Sequence, residues 1–400
     1  MDLGLLHDLA QPGTTKMVLC SLDGLGGLPR PATGKSELET AGLPNLHALA
    51  KRSACGLIRH VGSGITPGSG PGHLGLFGYD PLQHPVGRGV LEALGIDFHL
   101  KPGDVAARGN FCTVDAQGRI TDRRAGRLST DLCVKLCERL RSVTVDGVEI
   151  VIEPVKEHRF VLILRGEGLS GRISETDPQA QGTPPLRARA LEPSAERTAA
   201  AVNQFIERVR SLLQDAAPAN MVLLRGFDKQ PDIPLFPGTF RLRAAAVAAY
   251  PMYRGLARLV GMDVLDTGPT FADEIATLQR HWNNFDFFFL HYKDTDKAGE
   301  DGDFDAKVAA LERFDARLPD VLALKPDVLA VSGDHSTPSI LAAHGWQPVP
   351  ALVSSAYCGA DHVSRFTERD CAGGALGILP AQDLMPLLMA NALRLAKYGA

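Results

Sequence analysis

Three short apolar runs constrain the fold most: Met17-Val-Leu-Cys-Ser-Leu22, Phe285-Asp-Phe-Phe-Phe-Leu-His291 and Asp327-Val-Leu-Ala-Val331. They are too short for ordinary helices and too continuously apolar for strands with one wet face. Runs of this kind are buried strands of the parallel type, covered on both faces. Helical patterning around Val308, Ala309 and Leu311 lies between the last two. Together they call for an α/β core with a mostly parallel sheet flanked by helices. An acidic residue follows each run: Asp23, Asp296 and Asp334. Open parallel sheets present ligands at the carboxyl ends of their strands, so these acids are expected to converge.

The middle of the chain reads differently. Strands are expected at Gly147–Glu153, Arg159–Arg165 and Asn220–Arg225, with helices over 130–141 and 195–213 and a polar loop from Gly171 to Pro185. This block has its own alternation of elements and reads as an inserted α+β domain spanning 105–235, with 1–104 and 236–400 forming the core domain. In the core, the segment from Leu43 to Arg52 is an amphipathic helix. A Gly-, Pro- and Ser-rich loop, Gly62 to His73, opens onto a helix beginning near Leu74, and Ala244 to Met262 carries long helical patterning.

The formal net charge of −4 over 400 residues is spread without a basic block, which argues against nucleic acid as a partner. No run approaches about 18 apolar residues, so no membrane span is expected. The first residues lack the basic and apolar regions of a signal peptide. Seven Cys are scattered with no Cys-x-x-Cys pair, and Cys133 and Cys137 fall on one apolar helix face. Reduced thiols in a cytoplasmic protein are expected.

Asp23, Asp296, Asp334, His335 and His344 supply hard oxygen and imidazole donors, and Glu300 follows Asp296 at helical i, i+4 spacing. That set suffices for two divalent cations. Taken singly, each is also an ordinary loop acid or a satisfied histidine. Ser69 lies in Pro67-Gly-Ser69-Gly-Pro-Gly, where small neighbours allow close approach of a bulky anion. Such a loop can equally be merely flexible, as is expected around Ser63. Arg108 with Asn110, the string Asp122-Arg123-Arg124-Ala-Gly-Arg127, and Arg225 offer planar donors for phosphate and carboxylate, or form a solvated surface.

Taken together, Asp23-Gly, Ile65-Thr-Pro-Gly-Ser69, His73-Leu-Gly-Leu-Phe-Gly-Tyr-Asp-Pro81, Gly87-Arg-Gly-Val-Leu-Glu-Ala-Leu-Gly95, Asp122-Arg-Arg-Ala-Gly-Arg127 and Ser332-Gly-Asp-His-Ser-Thr-Pro338 closely resemble the archaeal-type, cofactor-independent phosphoglycerate mutases of the alkaline phosphatase superfamily. The likeness runs from about residue 16 to the C-terminus. It implies an alkaline-phosphatase-like core, two divalent cations, and an inserted domain that holds the glycerate and closes over it. Ser69 matches the phosphoacceptor. Asp23, Asp334 and His335, with Ser69, match the ligands of one cation, and Asp296 and His344 those of the other. Arg108, Asn110, Asp122, Arg123, Arg124, Arg127, Arg225 and Lys293 are expected to hold the substrate.

Two departures stand out. Glu300 occupies a position usually held by His, which hardens the second site and favours Mn2+, with Mg2+ or Zn2+ as alternatives. The loop Ser69-Gly-Pro-Gly-His73 lacks the Asp that commonly follows the nucleophile. The resemblance implies interconversion of 3-phosphoglycerate and 2-phosphoglycerate through a phosphoserine. The rival readings are a metal-dependent phosphatase or other phosphomutase, and a catalytically weakened metabolite-binding relative. The partner expected is a small phosphorylated metabolite, with neither nucleic acid nor membrane. The sequence does not give the oligomeric state.

Overall fold

The structure is a computed structural model and describes residues 2–399. The chain divides into two compact units, one formed by the residues up to Pro85 together with those from Ile233 onward, the other by Val86–Asp232.

The first unit is built on an eight-stranded sheet. Its order is Gly377–Pro380, Ala54–Arg59, Val349–Ser355, Val328–Ser332, Met17–Leu22, Phe287–Tyr292, Ala244–Val247 and Asp263–Val264. Every neighbouring pair is parallel except those made by Val349–Ser355, which is antiparallel to both its neighbours. The strands expected from the three apolar runs form the centre, and all of their residues are buried. One face packs on helices: Leu46 and Leu49, Ile275 and Leu278, and Leu311, Phe314 and Leu318 meet Val18, Cys20, Phe288, Leu329 and Val331. Each such large side chain contributes about 1.5–3 kcal/mol when fully withdrawn from water. In register, Leu22 lies beside Tyr292 and Ser21 beside Ser332, so the three central strands stop at one level. The residues that follow them, Asp23, Lys293 and Gly333-Asp334, are therefore delivered to one end of the sheet.

Two expectations are corrected. Ala244 to Met262 is not one long helix: Ala244–Val247 is a strand parallel to Phe287–Leu290, and the helix is Pro251–Leu259. Alanine favours helix in isolation, but small residues fit a strand buried on both sides, and Pro251 starts the helix where a missing N–H costs nothing. The glycine-rich loop also ends earlier than expected, because helix Ser69–Leu76 begins at Ser69 itself.

The second unit has an antiparallel sheet in which Val105–Val114 is central, flanked by Arg159–Arg165 on one side and by Met221–Asp228 on the other, with Ile120–Asp122 paired to its last residues and Glu149–Lys156 beyond Arg159–Arg165. Helices Thr130–Leu140 and Glu196–Leu212 cover one face. There Cys133, Leu136, Val202, Phe205 and Val209 join Ala107, Phe111, Leu162 and Leu224 in one core. The opposite face takes helix Arg88–Gly95 through Val90 and Ala93, packed on Ala106, Val161 and Ile163. Gly89 lies so close to Ala106 that a Cβ there would come within 2.3 Å of its backbone. This helix therefore belongs to the second unit, and the first junction lies at 85/86 rather than at the expected 104/105. Among the described residues no helix is long and apolar enough to cross a membrane.

Candidate functional site

Asp23, at the end of the central strand, is fully buried. Its Oδ1 lies 3.3 Å from His335 Nε2, and its Oδ2 lies 2.9 Å from Lys293 Nζ and 3.3 Å from His291 Nε2. The Tyr253 hydroxyl also donates to Oδ2. Asp334 reaches the same place from the neighbouring strand, with Oδ2 3.0 Å from His335 Nε2 and 3.2 Å from His73 Nδ1. Its Oδ1 accepts from the Gly24 N–H at 3.1 Å, which ties the two strand ends together. Ser69 Oγ completes the group, 3.2 Å from His335 Nε2. Helix Ser69–Leu76 can come this close because position 72 is glycine: a Cβ there would fall 2.1 Å from the Asp334 carbonyl oxygen.

A second group adjoins the first. Asp296, in helix Asp294–Glu300, places Oδ1 3.6 Å from His344 Nε2 and 4.0 Å from His335 Nδ1. The two imidazoles stack with centroids 3.6 Å apart. Lys293 Nζ bridges the groups, 2.5 Å from Asp296 Oδ2 and 2.9 Å from Asp23 Oδ2. Asp23–Asp334–His335 and Asp296–His335–His344 each bring three ligand atoms within 4.8 Å of one another. Glu300 lies at the edge: its side chain is 56% exposed and its Oε1 is 3.7 Å from His344 Nε2.

The electrostatics suit cations. Burial and the Asp334 charge push the Asp23 carboxyl up, but Lys293, the His291 imidazole 3.3 Å away and His335 pull it below the usual carboxylate range. Burial likewise opposes ionisation of Asp334, and His335 and His73 overcome it, holding its pKa well down. Burial lowers His344, yet the Glu300 carboxylate 3.7 Å away and the charge of Asp296 raise it to about 9. Asp23 Oδ1 and Asp334 Oδ2 are buried without a hydrogen bond of good geometry. Two carboxylate oxygens in that state are costly unless a positive charge coordinates them. Carboxylate, imidazole and hydroxyl donors at these spacings fit divalent cations.

The second unit carries a cationic face. Arg108 is in register with Arg225, and Asn110 with Arg159. Alternate residues of a strand share a face, so these four project together on the face that also carries helix Arg88–Gly95, opposite the core of Ala107 and Phe111. Arg108 is held down to about 10 by burial and by the charges of Arg225, Arg88 and Arg159, against the raising effect of Glu92. Arg108 Nε, Arg225 Nε and Asn110 Oδ1 are buried without a hydrogen-bond partner. Clustered guanidiniums of this kind are relieved by an anion. Arg123 is engaged differently, in a bidentate pair with Asp177 at 3.1 and 2.7 Å. Asp122 accepts from the Arg124 and Gly126 N–H groups at 2.8 and 2.6 Å, so it shapes the turn that carries Arg124 and Arg127. Those two arginines lie near His158, which burial and the surrounding arginines depress to about 3.

Of the expected residues, Asp23, Ser69, Asp296, Asp334, His335 and His344 thus lie together, with Glu300 at their margin. Lys293, expected among the substrate-holding residues, sits among the carboxylates. The sequence reading passed over His73, Tyr253, His291 and Thr337 in the first unit and Arg88 and Arg159 in the second. His73, four residues after Ser69, was legible from helical spacing. The position of Arg159 opposite Asn110 is a matter of register and left no local signal.

Comparison with known proteins points to one family. Residues 50–220 match the family model described as 2,3-bisphosphoglycerate-independent phosphoglycerate mutase. The probable 2,3-bisphosphoglycerate-independent phosphoglycerate mutase of Thermus thermophilus is 50% identical over 406 residues, covering 100% of both chains. That of Aquifex aeolicus is also 50% identical with 100% of both chains covered. Among solved structures, a protein of Pyrococcus horikoshii superposes with a TM-score of 0.84 at 28% identity, over 97% of this chain and 100% of that one. The cofactor-independent phosphoglycerate mutase of Thermoplasma acidophilum gives 0.68 at 31% identity, over 94% and 100%. With half of its residues shared along its whole length, the chain belongs to the 2,3-bisphosphoglycerate-independent phosphoglycerate mutase family.

Proposed function

We propose that this protein interconverts 3-phosphoglycerate and 2-phosphoglycerate, in the cytoplasmic reactions of glycolysis and gluconeogenesis, through a phosphoserine at Ser69. The observation that carries the proposal is the position of Ser69 Oγ. It opens helix Ser69–Leu76 and lies 3.2 Å from His335 Nε2, beside two buried carboxylates with uncoordinated oxygens. Asp23, Ser69, Asp334 and His335 would hold one cation and Asp296, Glu300 and His344 the other, with Mn2+ favoured by so oxygen-rich a set. Bound there, the cations would neutralise the phosphoryl oxygens and lower the pKa of the Ser69 hydroxyl.

Ser69 Oγ forms the bond to phosphorus as the bond to the glycerate oxygen breaks. The other glycerate hydroxyl then takes the phosphoryl group back, so nothing is gained or lost. Placement at a helix N-terminus favours the dianionic phosphoserine. The Lys293 ammonium, raised well above its ordinary pKa by Asp23, Tyr253 and Asp296 against the effect of burial, keeps a fixed positive charge between Asp23 and Asp296. Arg108, Arg225, Asn110 and the arginines of the Asp122–Arg127 turn supply donors for the carboxylate and the glycerate oxygens. The test is to incubate the enzyme with Mn2+ and 3-phosphoglycerate, quench in acid and map phosphate by mass spectrometry. Phosphate on Ser69 is expected, and a catalytically active enzyme never phosphorylated there would refute the route.

A further inference from the structure

His335 stands between the two ligand groups, with Nε2 toward one and Nδ1 toward the other, and the Thr337 hydroxyl lies against Nδ1. The Thr337 hydroxyl is fully buried, 2.7 Å from Asp296 Oδ1 and 3.0 Å from His335 Nδ1. It has one proton for two neighbours. Asp296 is ion-paired with Lys293 at 2.5 Å and acts as an acceptor, so it receives that proton. The hydroxyl oxygen is then left to accept from an Nδ1–H of His335. The lone pair must therefore sit on Nε2, the atom 3.0 Å from Asp334 Oδ2, 3.3 Å from Asp23 Oδ1 and 3.2 Å from Ser69 Oγ.

The Thr337 backbone is held as well. The Thr337 carbonyl accepts from the fully buried Lys307 ammonium at 2.7 Å, and its N–H donates to Gly26 O at 3.1 Å. The same ammonium holds Gly24 O at 2.8 Å and Gly26 O at 2.9 Å, which joins the loop after Asp23 to the loop after His335. Two glycines make the room. A Cβ on Gly24, whose φ is +67°, would fall 2.5 Å from Thr337 Oγ1, and one on Gly299 would fall 2.3 Å from Thr337 O.

We infer that Thr337 is a positioning residue that assigns His335 to the Asp23–Asp334–Ser69 cation and withholds it from the Asp296–His344 cation, leaving Glu300 as the remaining carboxylate for the latter. The inference rests on the two-cation reading of this site. Hydrogen-bond partners that orient a ligating histidine typically contribute about 10- to 100-fold in metal affinity. The experiment is calorimetric titration of chelator-stripped wild type, Thr337→Val and Thr337→Ser with Mn2+, alongside kcat and KM for 3-phosphoglycerate. Valine keeps the shape and both backbone bonds but removes the hydroxyl. One Mn2+ should bind about 10- to 100-fold more weakly in Thr337→Val, with kcat reduced and KM little changed, and serine should restore both. Nitrogen-15 spectra of the histidine-labelled, Mg2+-loaded wild type should show His335 protonated on Nδ1, a result independent of how the variants fold. Wild-type Mn2+ affinity in Thr337→Val, or a proton on Nε2, would overturn the inference alone. A wild type that takes up no divalent cation would overturn the underlying site.

Discussion

At the scale of single residues, the proposed function puts the chemistry on Ser69 and the metal choice on Glu300. Ser69→Ala should reduce turnover to background while leaving most cation affinity, because one ligand of several is lost. A steady-state assay paired with Mn2+ titration checks both halves. Glu300→Ala should lower metal content toward one ion per chain after dialysis, measured by elemental analysis. Glu300→His should move the preference from Mn2+ toward softer cations. The half-exposed position of Glu300, 3.7 Å from His344 Nε2, lets either side chain reach inward. Most of the site was legible because Asp, His and Ser carry their chemistry in their identity. Thr337 and Tyr253 were not, since a hydroxyl gains its role only from what lies within about 3 Å of it.

At the scale of elements, the three all-apolar runs announced their strands, because a strand covered on both faces has no polar alternation to blur it. Ala244–Val247 gave no such signal. Its alanines are helix formers, and pairing with Phe287–Tyr292 and Asp263–Val264 makes it a strand. The cationic face was half legible: Arg108, Asn110 and Arg225 could be picked out, but their alignment with Arg159 depends on a register that long-range pairing sets. Arg108→Ala and Arg225→Ala should each raise KM about ten- to a hundredfold, as loss of a charge-assisted hydrogen bond of about 1.5–3 kcal/mol requires. Initial-rate kinetics would show it. Arg123→Ala, whose guanidinium is already held by Asp177, should do less to KM and more to stability. In helix Ser69–Leu76, Gly72→Ala would push against the Asp334 backbone at 2.1 Å. Overpacking of that kind costs about 1–3 kcal/mol, seen as a shifted denaturation midpoint, and should weaken Mn2+ binding as well.

At the scale of the whole molecule, stability and activity separate. Glu274 is buried, accepts from the Ala249 N–H at 2.7 Å, and is pushed up to about 8 by burial. A carboxyl whose folded pKa lies above its unfolded value binds its proton more tightly when folded. Its contribution is therefore complete below about 4.5 and is lost as pH rises through about 8. The Tm of Glu274→Gln should rise relative to wild type across that window, measured by scanning calorimetry at several pH values. A constant difference would mean that the carboxyl is not desolvated.

What the assembled site does with the substrate's phosphoryl group is open to direct measurement. Purified protein loaded with Mn2+ is given 3-phosphoglycerate, and the products are followed by phosphorus-31 NMR. The expected result is 2-phosphoglycerate approaching its equilibrium share with no parallel growth of inorganic phosphate. Inorganic phosphate as the main product, or an unchanged substrate signal with both cations bound, would contradict it.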